Sequence, residues 1–251
     1  MITLEQLQER PLSYSSLKEF AKSPRHYLDY LNRKKETTAA MLFGSMVHCL
    51  LLEPAKFNEQ FAVMGTIDRR TTAGKEAYAK FVEESTGKDV VMENDYNDAK
   101  ALADNVLSNP NLKQYIDNCH QYEQEFRAEM WGLPVRGFFD GIAEDYILEV
   151  KTTQDATPDA LMRDFFNRQY HMQAGLYNLV SNKPIKYLVI ETKSPYDSYI
   201  ADATENYIKK GQELFSNTIV KFSDCMKNNA WNTGYEYHTG KISIDLPSWV
   251  K

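Results

Sequence analysis

Cysteine is scarce. Cys49, Cys119 and Cys225 are the only three in 251 residues, and they lie far apart. An odd, scattered set excludes a disulfide scaffold, a zinc ribbon and a four-cysteine iron–sulfur cluster, and a reducing cytoplasm is the compartment it suits. Cys49 does follow His48, but no second Cys/His pair stands at zinc-ligand spacing. Long apolar runs are missing too. Nothing approaches the ~18–20 apolar residues of a membrane span, and with a mean hydropathy of −0.54 a membrane protein is not expected. The opening MITLEQLQER has no basic stretch followed by an apolar one, so no secretory signal is expected either. There are no internal repeats, no Gly/Ser linker and no low-complexity tail. A basic excess is also lacking: 29 Lys and Arg face 35 Asp and Glu, a net charge of −6. Nucleic-acid binders usually carry the opposite balance, so any phosphate contact here must be local.

What is present is an ordinary globular composition, 43% hydrophobic and 25% charged, long enough for one large domain or two small ones around a sizeable core. Aromatics reach 12%, with 16 Tyr, which suits a tight core, an interface or a base-stacking surface alike. Ser13 is placed to cap a helix whose apolar stripe runs through Leu17, Phe20, Tyr27 and Leu31, with Pro24 dividing or kinking it. Ala39–Leu52 reads as a strongly apolar helix ended by Glu53-Pro54. Thr71–Glu84 and Asn94–Ser108 read as more polar helices, the second closed by Asn109-Pro110. After His120 the texture changes. Tyr122–Trp131 alternates, Gly132-Leu133-Pro134 turns the chain, and Val135–Ile142 and Tyr146–Thr152 form a hairpin around Ala143-Glu144-Asp145. Thr157-Pro158 opens a helical stretch, in one or two pieces, to about Val180. Strands follow at Ile185–Thr192 and Ser198–Ala201, then a long helix over Thr204–Lys227 and a short strand at Lys241–Leu246. Strands interleaved with helices predict an α/β fold with a mixed sheet. It is read as one domain over 1–251, with 1–118 mainly helical and 119–251 carrying the sheet.

The stretch VRGFFDGIAEDYILEVKTT, Val135–Thr153, is the most informative. Asp140 lies near the end of one strand. Glu149 and Lys151 lie on the next, and two residues apart they leave the same face. The hairpin sets Asp140 near Glu149. Two close carboxylates repel unless a cation sits between them, and oxygen ligands on rigid strands suit Mg²⁺ or Mn²⁺. A lysine beside such a metal can orient or help deprotonate water and stabilise phosphate charge. Acidic residues at strand ends and Glu-x-Lys surface pairs are common. Here, however, the charges sit among Phe138, Phe139, Ile142, Ile147, Leu148 and Val150, where a charge seldom lies without a reason.

Asp140 followed by Glu149-Val150-Lys151 resembles the core of the PD-(D/E)xK nuclease superfamily. More specifically, the chain resembles the RecE-type exonucleases, grouped with lambda exonuclease and the RecB nuclease domain. Ser13–Tyr27, SYSSLKEFAKSPRHY, is similar to the opening helix of that family. Phe43–Pro54, FGSMVHCLLLEP, is similar to its Gly-x-x-x-His helix, and Tyr170–Tyr177, YHMQAGLY, to its Gln-x-x-x-Tyr helix. The likeness continues through Trp231…Gly234-Tyr235 to Leu246-Pro247. It implies a restriction-endonuclease-like core, a central mixed β-sheet flanked by helices, with a helical N-terminal region. It also implies one or two Mg²⁺ ions, Mn²⁺ substituting, held by His48, Asp140, Glu149 and Val150.

In the same resemblance Lys151 positions water, Gln173 holds Lys151 or a phosphate, and Tyr177 supports the site. An upstream glutamate is matched best by Glu125, with Glu123 on the same face by alternation. Packing readings stand beside these: His48 as a buried histidine amid Val47, Leu50 and Leu51, and Tyr177 as part of a helix face on the sheet. Arg69, Arg70 and Lys75 form a basic cluster, either DNA contacts or a solvated helix start, and Arg25 and Arg136 are weaker candidates of the same kind. The implied activity is 5′-to-3′ degradation of double-stranded DNA from a free end, leaving 3′ single-stranded tails for recombination. The implied partners are a RecT-type annealing protein and further copies of the chain in a DNA-enclosing ring, as in phages and prophages. Rival readings are an endonuclease of the same fold, a catalytically degenerate DNA-binding subunit, and an acidic α/β module that binds protein through a Tyr-rich surface.

Overall fold

Caps set the first helices where the sequence places them. The computed structural model describes residues 7, 9–34 and 36–231. The strand expected at Lys241–Leu246 and the tail motifs at Gly234-Tyr235 and Leu246-Pro247 lie outside these. Ser13 and Ser16 form a reciprocal capping box at 3.3 and 2.9 Å that starts α1 (Tyr14–Lys22). Ser23 accepts from the His26 N–H at 3.1 Å, and Pro24 takes the first position of α2 (Pro24–Asn32). Pro24 thus starts a second helix rather than kinking one, since its missing N–H is an orphan there anyway.

The described residues divide into two compact units, one of the residues up to 34, Arg127–Arg136 and 213–231, the other of 36–126 and Gly137–Gln212. The smaller unit is built on aromatics. Phe20 and Tyr27 meet Phe222, from a long C-terminal helix, at ring distances of 5.0 and 5.2 Å, and Trp231 stacks on Tyr27 at 6.0 Å. Leu12 pairs with Val135, donating to the Pro134 carbonyl at 2.8 Å and accepting from the Arg136 N–H at 2.7 Å.

In the larger unit α3 (Ala39–Leu52) is capped by Thr38. It is followed by α4 (Phe57–Gln60), β1 (Phe61–Met64), α5 (Thr72–Glu84), β2 (Asp89–Met92), α6 (Glu93–Ser108) and α7 (Pro110–Asp117). β1 and β2 pair in parallel, Phe61 opposite Asp89 through Met64 opposite Met92. The largely helical first part therefore holds a small sheet that the sequence did not announce. The main sheet has β3 (Gln121–Met130), β4 (Leu133–Ile142), β5 (Ile147–Thr153), β6 (Ile185–Glu191) and β7 (Ser198–Asp202) in that order. β4–β5 and β6–β7 are antiparallel, while β5–β6 is parallel. A parallel pair needs a long crossover, and α8 (Pro158–Asn167) and α9 (Tyr170–Ser181) supply it. α10 (Glu205–Lys227) closes the described fold. The result is the expected mixed α/β sheet. Among the described residues no helix is long and apolar enough to cross a membrane.

Two packing features fix the site. The β4–β5 ladder pairs only Ile142 with Ile147 and Gly141 with Leu148, so the strands part at Asp140. α9 lies backbone to backbone on α10: a Cβ on Gly211 would sit 1.6 Å from the His171 carbonyl oxygen, and one on Gly175 would sit 2.3 Å from the Gln212 nitrogen. Only glycine fits at that crossing.

Candidate active site

Where the strands part, the Asp140 carboxylate does the work of a ladder carbonyl. Its Oδ2 accepts the Val150 N–H at 2.7 Å and lies 3.0 Å from His48 Nε2. His48 comes from α3, which runs close over β5: the added Cβ of Gly44, one turn earlier, would touch Thr152 Oγ1 at 3.3 Å. His48 Nε2 is also 3.3 Å from the Val150 carbonyl oxygen, and Nδ1 is 2.9 Å from Glu123 Oε1. The next residue pair on β5 faces α9. Glu149 is fully buried. Its Oε2 accepts from Lys151 Nζ at 2.9 Å and from Gln173 Nε2 at 2.9 Å. Its Oε1 is buried with no hydrogen-bond partner. Gln173 also donates to the Tyr177 hydroxyl at 3.1 Å, and the Tyr177 ring packs on Phe126 and Phe139 at 5.4 and 5.1 Å.

The electrostatics are those of opposed charges held out of water. Burial lifts the Glu149 carboxyl to about 8, with the Asp140 charge adding to the rise and Lys151 opposing it. Asp140 is held below the usual carboxylate range: burial pushes it up, but the His48 and Lys151 charges and the Val150 N–H outweigh that. Burial alone would make His48 less basic, yet Asp140 and Glu123 raise it to about 10. Burial likewise opposes the charge on Lys151, and the Glu149 and Asp140 carboxylates override it, so Lys151 is an ammonium at neutral pH.

This set fits a divalent cation. His48, Glu123 and Asp140 offer ligand atoms within 4.8 Å of one another. His48 Nε2, Asp140 Oδ2 and the Val150 carbonyl converge with separations of 3.0 and 3.3 Å from Nε2, near the roughly 3.0 Å that adjacent donors take up around an octahedral ion with bonds of about 2.1 Å. The unpartnered Glu149 Oε1 and its raised pKa mark a carboxylate short of positive charge. Glu123 on Nδ1 would then act as the carboxylate that fixes a ligating histidine.

Several expected residues thus come together: His48, Asp140, Glu149, Val150, Lys151, Gln173 and Tyr177. Two details differ from expectation. Gln173 reaches Glu149 rather than Lys151 directly. The glutamate brought to His48 is Glu123, not Glu125. Glu123 adopts φ of 48° inside β3, and a left-handed residue in a strand breaks the alternation that would set Glu123 and Glu125 on one face. Within the larger unit, the basic cluster of Arg69, Arg70 and Lys75 does not join the site. Arg70 is exposed and bidentate on Asp68 at 2.8 and 3.0 Å, Arg69 stacks over Tyr78 at 4.6 Å, and Lys75 is exposed on α5; Arg25 is exposed on α2 of the smaller unit.

The site opens into a cleft of about 870 Å³ lined by His48, Glu123, Phe138, Lys151, Arg168 and Tyr170 among others. Sequence reasoning gave no role to Tyr170, whose ring lies 5.1 Å beneath Lys151 Nζ. Its position three residues before Gln173 on one helix face was the available signal. Arg168, which pairs with Asp164 at 2.7 Å, sits at the α8–α9 break and carried no signal.

A parted hairpin bearing Asp140, Glu149 and Lys151, with a metal-capable histidine against it, defines a nuclease core of the PD-(D/E)xK type. The sequence matches the family described as a PDDEXK-like domain of unknown function (DUF3799) over residues 13–239, and the chain belongs to that family. A crystal structure from Eubacterium rectale, of a protein described as a putative exonuclease, superposes with a TM-score of 0.62 at 14% identity. The match covers 98% of this chain and 92% of that one, and at that identity it is a likeness of fold. A second solved structure, of SSO0001, reaches a TM-score of 0.31 at 14% identity, over 82% of this chain and 84% of its own, and carries no argument. No curated protein matches the chain.

Proposed function

We propose that the chain is a Mg²⁺-dependent deoxyribonuclease of RecE type that degrades double-stranded DNA from 5′ ends and leaves 3′ tails for strand annealing. The observation that carries the nuclease reading is the convergence of His48 Nε2, Asp140 Oδ2 and the Val150 carbonyl beside the Lys151 ammonium in an open cleft. His48, Asp140, the Val150 carbonyl and the unpartnered oxygen of Glu149 would hold the cation. When bound, a divalent cation supplies Lewis-acid activation of water and neutralises phosphate charge. The remaining chemistry belongs to the chain. Lys151, protonated and steered by Glu149 and the Tyr170 ring, donates to a phosphate oxygen where negative charge grows. Gln173 fixes the Glu149 carboxylate, and Tyr177, its phenol raised by burial, stays neutral and fixes Gln173. Glu123 keeps the Nδ1 proton of His48 and so leaves Nε2 for the metal.

The exonuclease mode, the 5′ polarity, a ring of identical subunits enclosing DNA and a RecT-type partner rest on the family resemblance, and a cytoplasmic setting on the three scattered cysteines. A ring would reconcile a net charge of −6 with DNA, since positive potential is then needed only along a channel. The test compares linear with covalently closed duplex in Mg²⁺ or EDTA. Loss of the linear form alone, only with metal, is expected. Cutting of closed circles makes the chain an endonuclease, and binding without degradation makes it a degenerate DNA-binding subunit.

A further inference from the structure

Phe138 is out of place for its strand. Its neighbours on β4 turn inward: Phe139 is 5% exposed against Phe126 and Tyr177, and a Cβ on Gly137 would collide with the Phe126 ring at 2.5 Å. Alternation sends Phe138 to the other face, the face of Asp140. There it is 47% exposed and lines the cleft with His48, Glu123 and Lys151. Met41, 59% exposed on the first turn of α3, lines the same cleft. A polar, metal-capable floor thus carries an apolar, aromatic shelf two residues from Asp140. A single exposed apolar residue on an open surface needs no explanation, but an aromatic ring in a charged cleft places a flat apolar face where a substrate must lie.

We propose that Phe138 is a base-stacking residue: the ring holds an unpaired nucleobase next to the phosphate at the metal site. This rests on the nuclease reading and narrows its substrate to nucleic acid whose terminal or adjacent base is unstacked as it enters. Charge supports the assignment. Of the cleft's three basic side chains, Lys151 is bonded to Glu149, Arg168 to Asp164 and His48 to Glu123 and Asp140, so each is already paired with a carboxylate and phosphate contacts alone leave local affinity weak. A π face takes any base, so the contact is tolerant of sequence.

The test measures binding of a short fluorescein-labelled single-stranded oligonucleotide in Ca²⁺, which holds off turnover. It is compared with versions carrying one abasic residue at each position in turn. For the wild type, one abasic position should weaken binding roughly tenfold, the scale of one stacked base. Phe138→Ala should bind the intact strand roughly tenfold more weakly and lose sensitivity to that position, while Phe138→Trp should retain it. Phe138→Leu keeps the apolar bulk without the ring and should behave like the alanine variant, which guards against loss through misfolding alone. Equal weakening by Phe138→Ala at every abasic position, or none, overturns the proposal. A wild type that hydrolyses no DNA in Mg²⁺ or Mn²⁺ overturns the nuclease reading instead, and the binding comparison still decides the stacking.

Discussion

Gly211→Ala should cripple a site it never touches. Its Cβ would stand 1.6 Å from the His171 carbonyl oxygen, 2.5 Å from that carbonyl carbon and 3.1 Å from the Gly175 nitrogen. Real Cβ atoms essentially never approach within 3.0 Å, so α9 must retreat by about 1.4 Å or α10 must bend away. Both sides of the contact are backbone, and no rotamer relieves it. Overpacking of this kind costs about 1–3 kcal/mol. Retreat of α9 also draws Gln173 from Glu149, now 2.9 Å away, and a lost hydrogen bond to a charged group adds about 1.5–3 kcal/mol. Together they lower Tm on the order of 10 °C in a chain of this length. The assay pairs thermal melts with hydrolysis of linear duplex at a temperature where the variant is folded. There kcat should fall while Gly65→Ala, whose Cβ meets only Glu93 Oε2 at 3.6 Å, should match the wild type in both. Gly211→Ala melting with the wild type would refute the backbone crossing as the support of α9.

Asp140→Asn and Asp140→Ala should both abolish hydrolysis but differ in stability. Asparagine still accepts the Val150 N–H, whereas alanine orphans it at a cost of about 1–3 kcal/mol, so parallel melts should separate them; equal melts of the two, both relieved of carboxylate repulsion, would show that the Val150 bond adds nothing. Lys151→Ala should lose roughly 10²-fold or more in kcat with DNA affinity retained, and a loss in affinity alone would make Lys151 a phosphate tether. His48, raised to about 10 by its two carboxylates, contributes stability that is complete below its ordinary 6.5 and lost as pH climbs through about 10. Metal-free wild type should therefore lose Tm over that window relative to His48→Gln. Because Nε2 must shed its proton to bind metal, the Mn²⁺-induced rise in Tm should grow over the same window, and a Mn²⁺ shift flat with pH would remove His48 from the ligands.

The sequence was legible where a local rule acts alone. Ser13 caps as its side chain dictates, the apolar run Ala39–Leu52 forms a helix that buries Met46, Val47, Cys49, Leu51 and Leu52, and the alternation around Ala143-Glu144-Asp145 folds as a hairpin. Legibility ended where tertiary pairing decides. β1 and β2 are four residues each, too short for a period to register, and they pair in parallel across an intervening helix. The choice between Glu123 and Glu125 turned on one left-handed residue. The link between Lys151 and Tyr170 depends on Gln169, whose φ of 59° starts α9 at an angle that the run of letters does not state.

The parted hairpin has one more consequence. The Val150 amide is tied neither to water nor to a neighbouring strand's carbonyl but to a carboxylate, Asp140 Oδ2, at 2.7 Å. Its proton therefore feels the charge on that oxygen directly. Protonation of Asp140, capture of a cation or arrival of a phosphate each alters the electron density it shares. In an amide-resolved NMR spectrum Val150 is a built-in indicator of what the site holds, readable without substrate, turnover or any added label.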